Sequence, residues 1–158
     1  MNIPWLEENT ALPAPESAQK IGSSWAGLVA AGGGLSVERL CEAYTQGIFP
    51  WFSQGQPVLW WSPDPRMVLQ TADFKLHRSL RKILQRFIRD AHCEIRIDHD
   101  FSAVIRHCAQ TSRKGQPGTW IVKDMISAYE ALHCAGFAHS VETWVQGQLV
   151  GGLYCVSV

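Results

Sequence analysis

The 158-residue sequence predicts an α+β protein of two modules, a small one over residues 1–64 and a larger one over residues 65–158. Three observations support this prediction. Helical and strand-like spacings of apolar residues alternate along the second half of the chain. The prolines of "SPDPR" make a stiff corner near the start of that half, and the balance of acidic and basic residues changes at the same point. Residues 1–64 carry two basic and six acidic groups, whereas residues 65–158 carry twelve basic and eight acidic groups. Within a chain of zero net charge, this asymmetry indicates an anionic partner.

The first module contains one clear helix and one aromatic loop. Residues 1–23 carry three prolines and are predicted to be irregular. Ser36 is a suitable N-cap for the helix that follows, and Gly47 stands where that helix should stop. The loop "FPWFSQGQP" comes next, and the short apolar piece "VLWW" then leads into the corner.

The second module opens with a predicted strand, "RMVLQ" (residues 66–70), and with the clearest helix of the chain, "FKLHRSLRKILQRFIRD". The apolar side chains of this helix recur at helical spacing, so the simplest interpretation makes them a stripe that faces the core. They are Leu76, Leu80, Ile83, Leu84, Phe87 and Ile88. Six cations cover its other faces, with no acidic residue before Asp90: Lys75, Arg78, Arg81, Lys82, Arg86 and Arg89.

The rest of the chain alternates between strands and helices. "CEIRIDHDF" (residues 93–101) has the alternation of a half-buried strand, and "FSAVIRHCAQ" has helical spacing. A basic, glycine-rich loop, "TSRKGQPGTW", precedes a second amphipathic helix that Gly136 should end. The last segment, from Ala138 to Val158, is predicted to be a hairpin that turns at Gln146-Gly147.

Composition narrows the class of protein. The apolar fraction of 46% and the charged fraction of 18% are ordinary for a globular chain. The start, "MNIPWLEENT", has no basic segment typical of a signal peptide, and no apolar run reaches the ~20 residues of a membrane span. Five cysteines without a Cys-x-x-Cys pair predict reduced, buried thiols in a cytoplasmic protein.

A metal site is disfavoured. Three His-Cys dipeptides, at His92, His107 and His133, invite the hypothesis. Adjacent side chains point in different directions on a helix or a strand, however, so such a pair chelates one ion poorly.

The cationic helix has two interpretations. A solvated face opposite a core stripe is the common one. Six cations without an interleaved carboxylate repel each other, and phosphates of a polyanion would relieve that repulsion and release counterions. The sequence therefore favours phosphate contact along this helix.

The aromatic residues form the second candidate feature. Trp60 and Trp61 are adjacent, so one of them can pack inward while the other faces out. Trp51 lies between a proline and a phenylalanine in a loop, and Trp120 ends the basic loop. Nucleobases stack on such rings, each contributing ~1–3 kcal/mol, although aromatic loops also build ordinary cores.

Nucleophilic and nucleotide-cradling motifs are absent from the sequence. No Gly-x-Ser-x-Gly occurs, and "AAGGG" lacks the Lys-Ser/Thr of a P-loop. Cys155 has no basic neighbour in sequence to lower its pKa and is expected to be inert. His139 could act as a base, but the preferred interpretation is a histidine in the core whose hydrogen bonds are made within the protein.

The motifs taken together resemble one family. "GGGLSVERLCEAYTQGIFPWF", "LWWSPDPRMVL", "HRSLRK", "GTWI", "AYEALHCAGFAHSVETW" and "LVGGLY" occur in order over about residues 30–158 and look like bacterial leucyl/phenylalanyl-tRNA–protein transferase. The combination of "GIFPWF" with "WWSPDPR" is the most specific part of this resemblance.

The resemblance implies a fold, a reaction and partners. The fold would be a small N-terminal domain followed by the first half of an acetyltransferase-like (GNAT) α/β domain. The reaction would move Leu or Phe, and also Met, from aminoacyl-tRNA to the N-terminal Arg or Lys of a protein, which marks that protein for degradation through the N-degron pathway. An aminoacyl ester is already activated, so no ATP, metal or other cofactor is implied.

The resemblance also assigns roles to residues. Trp51 and Trp120 would hold the 3′-terminal adenosine, and Leu153 would line the pocket for the aminoacyl side chain. Arg78, Arg81, Lys82 and Arg86 would contact the acceptor stem, while a position that is basic in the family is Gln85 here. The family pattern continues past "GGLY", so its proton-transfer and peptide-binding residues are expected beyond Val158, and a truncated chain is expected to be poorly stable.

Two other functions stay open on the sequence alone. The chain could be a catalytically inactive tRNA-binding remnant of the enzyme, which keeps the cationic helix and the tryptophans. It could also be an acyl-CoA-dependent transferase on the same fold, although the glycine-rich pyrophosphate loop that such an enzyme needs is not visible in the sequence.

Overall fold

The computed structural model describes residues 3–111 and 119–158, which contain four α-helices and two β-sheets. The helices are α1 (Val37–Thr45), α2 (Arg78–Arg89), α3 (Phe101–Gln110) and α4 (Lys123–Cys134). The strands are β1 (Trp5–Leu6), β2 (Leu28–Gly32), β3 (Phe49–Pro50), β4 (Leu59–Trp61), β5 (Cys93–Ile97), β6 (Ala138–Val145) and β7 (Gln148–Val156). This mixture of helices and sheets confirms the predicted α+β class. Most of the predicted basic loop, residues 112–118, lies outside the described residues.

The first sheet has the strand order β1-β2-β4-β3 and uses residues from the first module alone. β1 runs parallel to β2, and the remaining neighbours are antiparallel. All five residues of β2 are buried, so both faces of this strand are covered. The sequence did not predict β2, because "LVAAG" lacks the polar alternation of a half-exposed strand.

Local capping signals fix α1 as predicted. The Ser36 hydroxyl accepts the backbone N–H of Arg39 at 3.2 Å, which satisfies one of the free donors of the first turn. At the other end, Gly47 has φ of +75°, the left-handed conformation that terminates a helix at little cost for glycine. The loop that follows α1 is therefore turned back toward β2 and β4.

The second sheet is antiparallel, in the order β5-β6-β7. The predicted hairpin turn is confirmed, because Gln146 and Gly147 both have positive φ, as the tight turns of hairpins require. Helices α3 and α4 cover one face of the sheet. A Cβ atom at Gly152 would lie 3.1 Å from Val104 Cγ2, so the glycine allows α3 to approach β7 closely.

A buried carboxylate connects β6 to the start of α3. Glu142 is fully buried and accepts hydrogen bonds from the backbone N–H groups of His99 and Asp100, at 3.0 and 2.7 Å. It also accepts the Ser140 hydroxyl at 2.8 Å and the Trp144 indole N–H at 2.7 Å. Burial acts to raise the pKa of Glu142, but these hydrogen bonds outweigh it and hold the pKa below its ordinary value.

Side chains of the two predicted modules pack into one hydrophobic core. Helix α1 packs against α4, and the hydroxyls of Tyr44 and Tyr129 hydrogen-bond each other across this joint. The two rings meet edge to face, with their centroids 6.4 Å apart. Burial raises the pKa of both phenols, so both are protonated at neutral pH.

The apolar stripe of α2 does not face the core, which corrects the sequence prediction. No residue of α2 is buried, and Ile83 and Ile88 are 61% and 77% exposed. Periodicity shows that a helix has two unlike faces, but it does not show what lies opposite the apolar one. Within the described residues, the main contact of α2 is with β5.

Two strand predictions in the second module also need correction. The strand predicted for residues 66–70 is wrong, since these residues form no strand in the described chain, and Met67 is 98% exposed. The strand predicted for residues 93–101 ends at Ile97. Asp98 follows with φ of +54°, and its geometry breaks the strand so that α3 can start at Phe101.

Candidate nucleic-acid interface

The aromatic loop of the first module is held by a short hairpin of β3 and β4. Phe49 pairs with Trp61, and Pro50 pairs with Trp60. Alternation along β4 sends the two tryptophans to opposite sides. Trp60 is fully buried and its indole N–H donates to the Gly32 carbonyl at 3.0 Å, while Trp61 is only partly buried. The prediction that one of the pair packs inward is confirmed.

Trp51 is fixed through its backbone and presents its ring to solvent. Its N–H donates to the Leu59 carbonyl at 2.9 Å, and its carbonyl accepts the Trp61 indole N–H at 2.7 Å. The ring centroids of Trp51 and Trp61 are 5.8 Å apart, with 53° between the planes. The Trp51 side chain is 50% exposed, so a rigid backbone carries an accessible aromatic surface.

A third tryptophan extends this surface. The Trp25 ring stacks on Trp61 with centroids 6.4 Å apart and 29° between the planes, and Trp25 is 40% exposed. We call Trp25, Trp61 and Trp51 the tryptophan row. Sequence reasoning missed Trp25 because the contact joins residues 36 positions apart in the chain, and its own context, "GSSWAG", suggests only a turn.

One cation lies beside the tryptophan row. An Arg66 guanidinium N–H donates to the Gly47 carbonyl at 2.6 Å, and its central carbon lies 5.0 Å from the centroid of the Phe49 ring. Because Phe49 and Trp61 are paired residues, their side chains share one face of the hairpin. Arg66 belongs to the "SPDPR" corner, to which the sequence analysis gave only a structural role.

The predicted RNA-binding cations all lie on the solvent side of α2. Arg78, Arg81, Lys82 and Arg86 are exposed, and the first three line a shallow surface hollow of about 490 Å³ together with Gln85. Among residues 3–111 and 119–158, no carboxylate lies within ion-pairing distance of these four cations. Their charge is therefore available to an external anion.

Trp120 differs from Trp51 in its surroundings. It is partly buried and packs against the hydrophobic core, and its carbonyl accepts the Val122 N–H at 3.1 Å. In the described part of the chain, no ring contact joins Trp120 to Trp51. The two tryptophans that the resemblance assigns to adenosine are therefore not in direct ring contact among the described residues.

Leu153 lies on the face of the second sheet that is turned away from α3 and α4, which we call the outer face. It pairs with Val141, and Val141 pairs with Ile97, so three apolar side chains form a row across the strands. Leu153 is 53% exposed and Ile97 is 68% exposed. A cavity of about 260 Å³ between α3 and β7 is lined by Gly151 and Gly152 but not by Leu153.

His139 also lies on the outer face, where it is bound to an aspartate. Its Nδ1 is 2.7 Å from Asp98 Oδ2, and the other carboxylate oxygen of Asp98 accepts the Ser140 N–H at 2.7 Å. Burial acts to raise the pKa of Asp98, but these contacts lower it overall. His139 has a hydrogen-bond partner, as predicted, but its side chain is 37% exposed and does not belong to the core.

None of the cysteines forms a disulfide among the described residues, but the prediction that they are buried is wrong. Cys134 and Cys155 are exposed, and Cys41, Cys93 and Cys108 are partly exposed. Cys155 shares the outer face with His139, its paired residue on β6. Within the described residues, no group of three or more His, Cys, Asp or Glu side chains is arranged to hold a metal ion. None of the described helices combines the length and apolar character that a bilayer span requires.

Similarity to known families identifies the class of protein to which the chain belongs. Two family models match the chain, and both describe tRNA protein transferases. The leucyl/phenylalanyl-tRNA protein transferase model matches residues 68–158, and the model of the N-terminal domain of that transferase matches residues 33–64. Because the first match covers more than half of the sequence, the chain belongs to the leucyl/phenylalanyl-tRNA protein transferase family. The resemblance stated from the sequence motifs is confirmed.

Individual relatives agree with this family. The chain is 60% identical over 156 residues to the leucyl/phenylalanyl-tRNA–protein transferase of Polaromonas sp. strain JS666, covering 99% of this chain and 61% of the relative. It is 57% identical over 155 residues to that of Paraburkholderia xenovorans strain LB400, covering 98% and 63%. The chain thus spans about three fifths of the length of the curated relatives that it matches.

Proposed function

We propose that this chain acts in the transfer of an amino acid from aminoacyl-tRNA to the N-terminus of a protein. The observation that carries the proposal is the family match, which extends over both modules. The amino acid would be Leu or Phe, or else Met, and the acceptor would be an N-terminal Arg or Lys. The product would enter the N-degron pathway in the cytoplasm.

The proposed architecture has a domain boundary at the "SPDPR" corner, with an N-terminal domain over residues 1–64 and a GNAT-like domain over residues 65–158. Two observations support it: the first sheet uses only strands before residue 62, and the second sheet only strands after residue 92. An antiparallel sheet with two helices on one face is compatible with half of a GNAT-like layer structure.

The acceptor stem of the tRNA would lie along α2. Arg78, Arg81, Lys82 and Arg86 are exposed cations without a carboxylate partner in the described chain, so contact with phosphates costs no existing ion pair. Phosphate contacts supply affinity and position without reading sequence. Gln85, between them, would contribute hydrogen bonding but no charge.

The terminal adenosine would stack on Trp51, which has a half-exposed ring on a fixed backbone. Trp120 is proposed as the second wall of this site. Since no ring contact joins the two tryptophans among the described residues, the base itself would occupy the space between them.

The aminoacyl side chain would contact Leu153. The row of Ile97, Val141 and Leu153 offers apolar contact without a polar group, which suits Leu, Phe or Met. A β-branched side chain would widen close to its Cα and fit less well against such a surface.

The reaction needs little chemical assistance. The amine nitrogen of the acceptor attacks the ester carbonyl carbon, the bond from that carbon to the ribose oxygen breaks, and the tRNA leaves with a free hydroxyl. The amine loses a proton overall, and the new bond is an amide. The ester is already activated, so the protein mainly orients the two reactants and no cofactor is required.

The test uses the 158-residue chain, leucyl-tRNA and a peptide that begins with Lys, with mass spectrometry of the peptide N-terminus. Addition of leucine that Trp51→Ala abolishes, and that Trp5→Ala does not affect, supports the proposal. Trp5 is a suitable control because it is 62% exposed in the same module but lies outside the tryptophan row. A peptide that begins with Ala should remain unmodified.

A negative result remains informative when binding is measured in parallel. Salt-sensitive binding of leucyl-tRNA without transfer would overturn the transferase proposal and support the tRNA-binding alternative. Loss of that salt sensitivity in the combined variant Arg78→Gln, Arg81→Gln, Lys82→Gln and Arg86→Gln, but not in Arg106→Gln, would assign the contact to α2. Arg106 is the matched control because it is already paired with Glu130 at 2.8 Å.

A further inference from the structure

We propose that Trp25 is a second stacking site, which takes the nucleobase next to the terminal adenosine. This inference rests on the proposed function, since it assumes that the terminal base stacks on Trp51. The tryptophan row would then hold two successive unpaired bases of the tRNA 3′ end, one at each of its outer rings.

The geometry of the row allows two bases to bind at once. Trp61 is the member of the row that contacts both others, Trp51 at 5.8 Å and Trp25 at 6.4 Å between ring centroids, and no direct ring contact joins Trp25 to Trp51 among the described residues. The two outer rings are therefore no further apart than these two spacings laid end to end. Unpaired bases of a single strand can be splayed onto separate aromatic side chains over such a span.

The polar group of the middle ring is already used. The Trp61 indole N–H donates to the Trp51 carbonyl, so this N–H holds Trp61 beside Trp51 and does not itself donate to a ligand. Trp25 and Trp51 keep 40% and 50% of their surface exposed, so both offer part of an indole side chain to solvent. Such surfaces favour flat, aromatic ligands, and nucleobases stack on them with little dependence on base identity.

Ordinary packing does not account for the exposure of this row. Trp60, in the same hairpin, is fully buried and its indole N–H is bonded to backbone, as expected of a core tryptophan. Trp25 and Trp51 instead leave 40% and 50% of their surface in solvent. Two large, exposed aromatic side chains that both contact one partly buried tryptophan indicate a binding surface.

A phosphate between the two bases has a cation within reach. Arg66 lies over Phe49, and Phe49 shares its face of the hairpin with Trp61 at the centre of the row. Its bond to the Gly47 carbonyl fixes the guanidinium at the edge of the row and uses only part of its five donors. Arg66 would therefore pair with the phosphate that joins the two nucleosides.

The test compares two RNA hairpins that differ in one base. Each has a duplex stem and the single-stranded 3′ end ACCA, but in the second the penultimate nucleotide is an abasic ribose. The charge and the terminal adenosine are the same in both. Binding to the 158-residue chain is measured by fluorescence anisotropy at fixed salt, with the label at the hairpin loop.

The expected result is that wild type binds the intact hairpin at least about fivefold more tightly, the lower limit for stacking of one base. Trp25→Leu, which keeps apolar volume but removes the aromatic face, should bind both hairpins equally. Trp25→Phe keeps a ring and should retain the preference. Trp5→Leu, outside the row, should retain it in full.

Equal binding of the two hairpins by wild type would overturn the second stacking site, as would a preference that persists in Trp25→Leu. Trp51→Leu separates this failure from failure of the proposed function. If Trp51→Leu weakens both hairpins while Trp25→Leu keeps the preference, only the second site is wrong. If Trp51→Leu leaves both affinities unchanged, the adenosine role of Trp51 is wrong and the inference falls with it. Far-ultraviolet circular dichroism and the thermal unfolding midpoint of each variant check that it is folded.

Discussion

The two sheets of this protein bury their strands to very different extents. In the first sheet, β2 is buried along its whole length. In the second sheet, no residue of β7 is buried, and the outer face carries Leu153, Val141 and Ile97 with a third or more of each side chain in solvent. Apolar side chains thus stabilise the first region by burial, whereas on the outer face they form an accessible patch of the kind that binds other molecules.

The comparison predicts that the same substitution has unequal effects in the two sheets. Leu28→Ala removes a side chain that is 1% exposed in β2 and should lower the free energy of unfolding by about 2–5 kcal/mol. Leu153→Ala removes one that is 53% exposed in β7 and should lower it by less than about 1 kcal/mol. Urea unfolding at unchanged m-value measures both. Similar losses would mean that the outer face is covered in solution.

Within the second sheet, the hydrogen bonds of Glu142 should contribute more to the free energy of unfolding than the apolar side chains of the outer face do. Glu142→Gln replaces an acceptor with an amide whose N–H group meets donors, so we expect a loss of about 3 kcal/mol in the free energy of unfolding. Glu94→Gln on β5 is the control, because Glu94 is 51% exposed and, in the described part of the chain, forms an ion pair with Arg96 alone. A wild-type midpoint for both variants would contradict the role assigned to the buried carboxylate.

The Glu142→Gln variant also gives a prediction for how the free energy of unfolding depends on pH. The folded-state pKa of Glu142 is held below its ordinary value of 4.5, so its contribution is complete above that pH and is lost as pH falls through the lowered value. Asp98 acts in the same direction. The stability difference between wild type and Glu142→Gln should therefore shrink on acidification below about 4.5. A constant difference down to full unfolding would exclude this linkage.

The contact between α1 and α4, which joins the two regions, should contribute less to the free energy of unfolding. Tyr129→Phe leaves the partly buried Tyr44 hydroxyl without its partner and should lower the free energy of unfolding by about 1–3 kcal/mol. The double variant Tyr44→Phe and Tyr129→Phe should lose less than the two single losses combined, because both partners are then removed. Additive losses would show that the two hydroxyls act independently.

The smallest effect on stability is expected on α2. Ile88 is 77% exposed, so Ile88→Gln should change the free energy of unfolding by no more than about 0.5 kcal/mol. It should nevertheless lower the fluorescence of a dye that binds exposed apolar surface. A clear loss of stability would show that the apolar face of α2 is packed against something in solution.

The features that the sequence predicted well depend on local interactions. The Ser36 cap, the stops at Gly47 and Gly136, the Gln146-Gly147 turn and the limits of α3 each follow from a few neighbouring residues. Predictions failed where a distant partner decides the outcome. Residues 66–70 have strand-like composition but no neighbouring strand among the described residues, and the stripe of α2 has helical spacing but no core against it.

The candidate site likewise has features that the sequence could predict and features that it could not. The exposure of the α2 cations and the opposite directions of Trp60 and Trp61 could be predicted from charge and alternation. The stacking of Trp25 on Trp61 and the position of Arg66 beside Phe49 could not, because each depends on how separate segments meet in the folded chain. His139 was expected in the core, but its aspartate partner lies 41 residues away and holds it at the surface.

The tryptophan row also has an optical consequence. Indole rings held 5.8 and 6.4 Å apart at fixed angles couple their electronic transitions, so the three chromophores absorb as one exciton system. Circular dichroism in the indole bands therefore contains a signal that depends on the mutual orientation of Trp25, Trp61 and Trp51. Any ligand that stacks on an outer ring, or any change that releases the Trp51 carbonyl from Trp61, alters that signal without an added label.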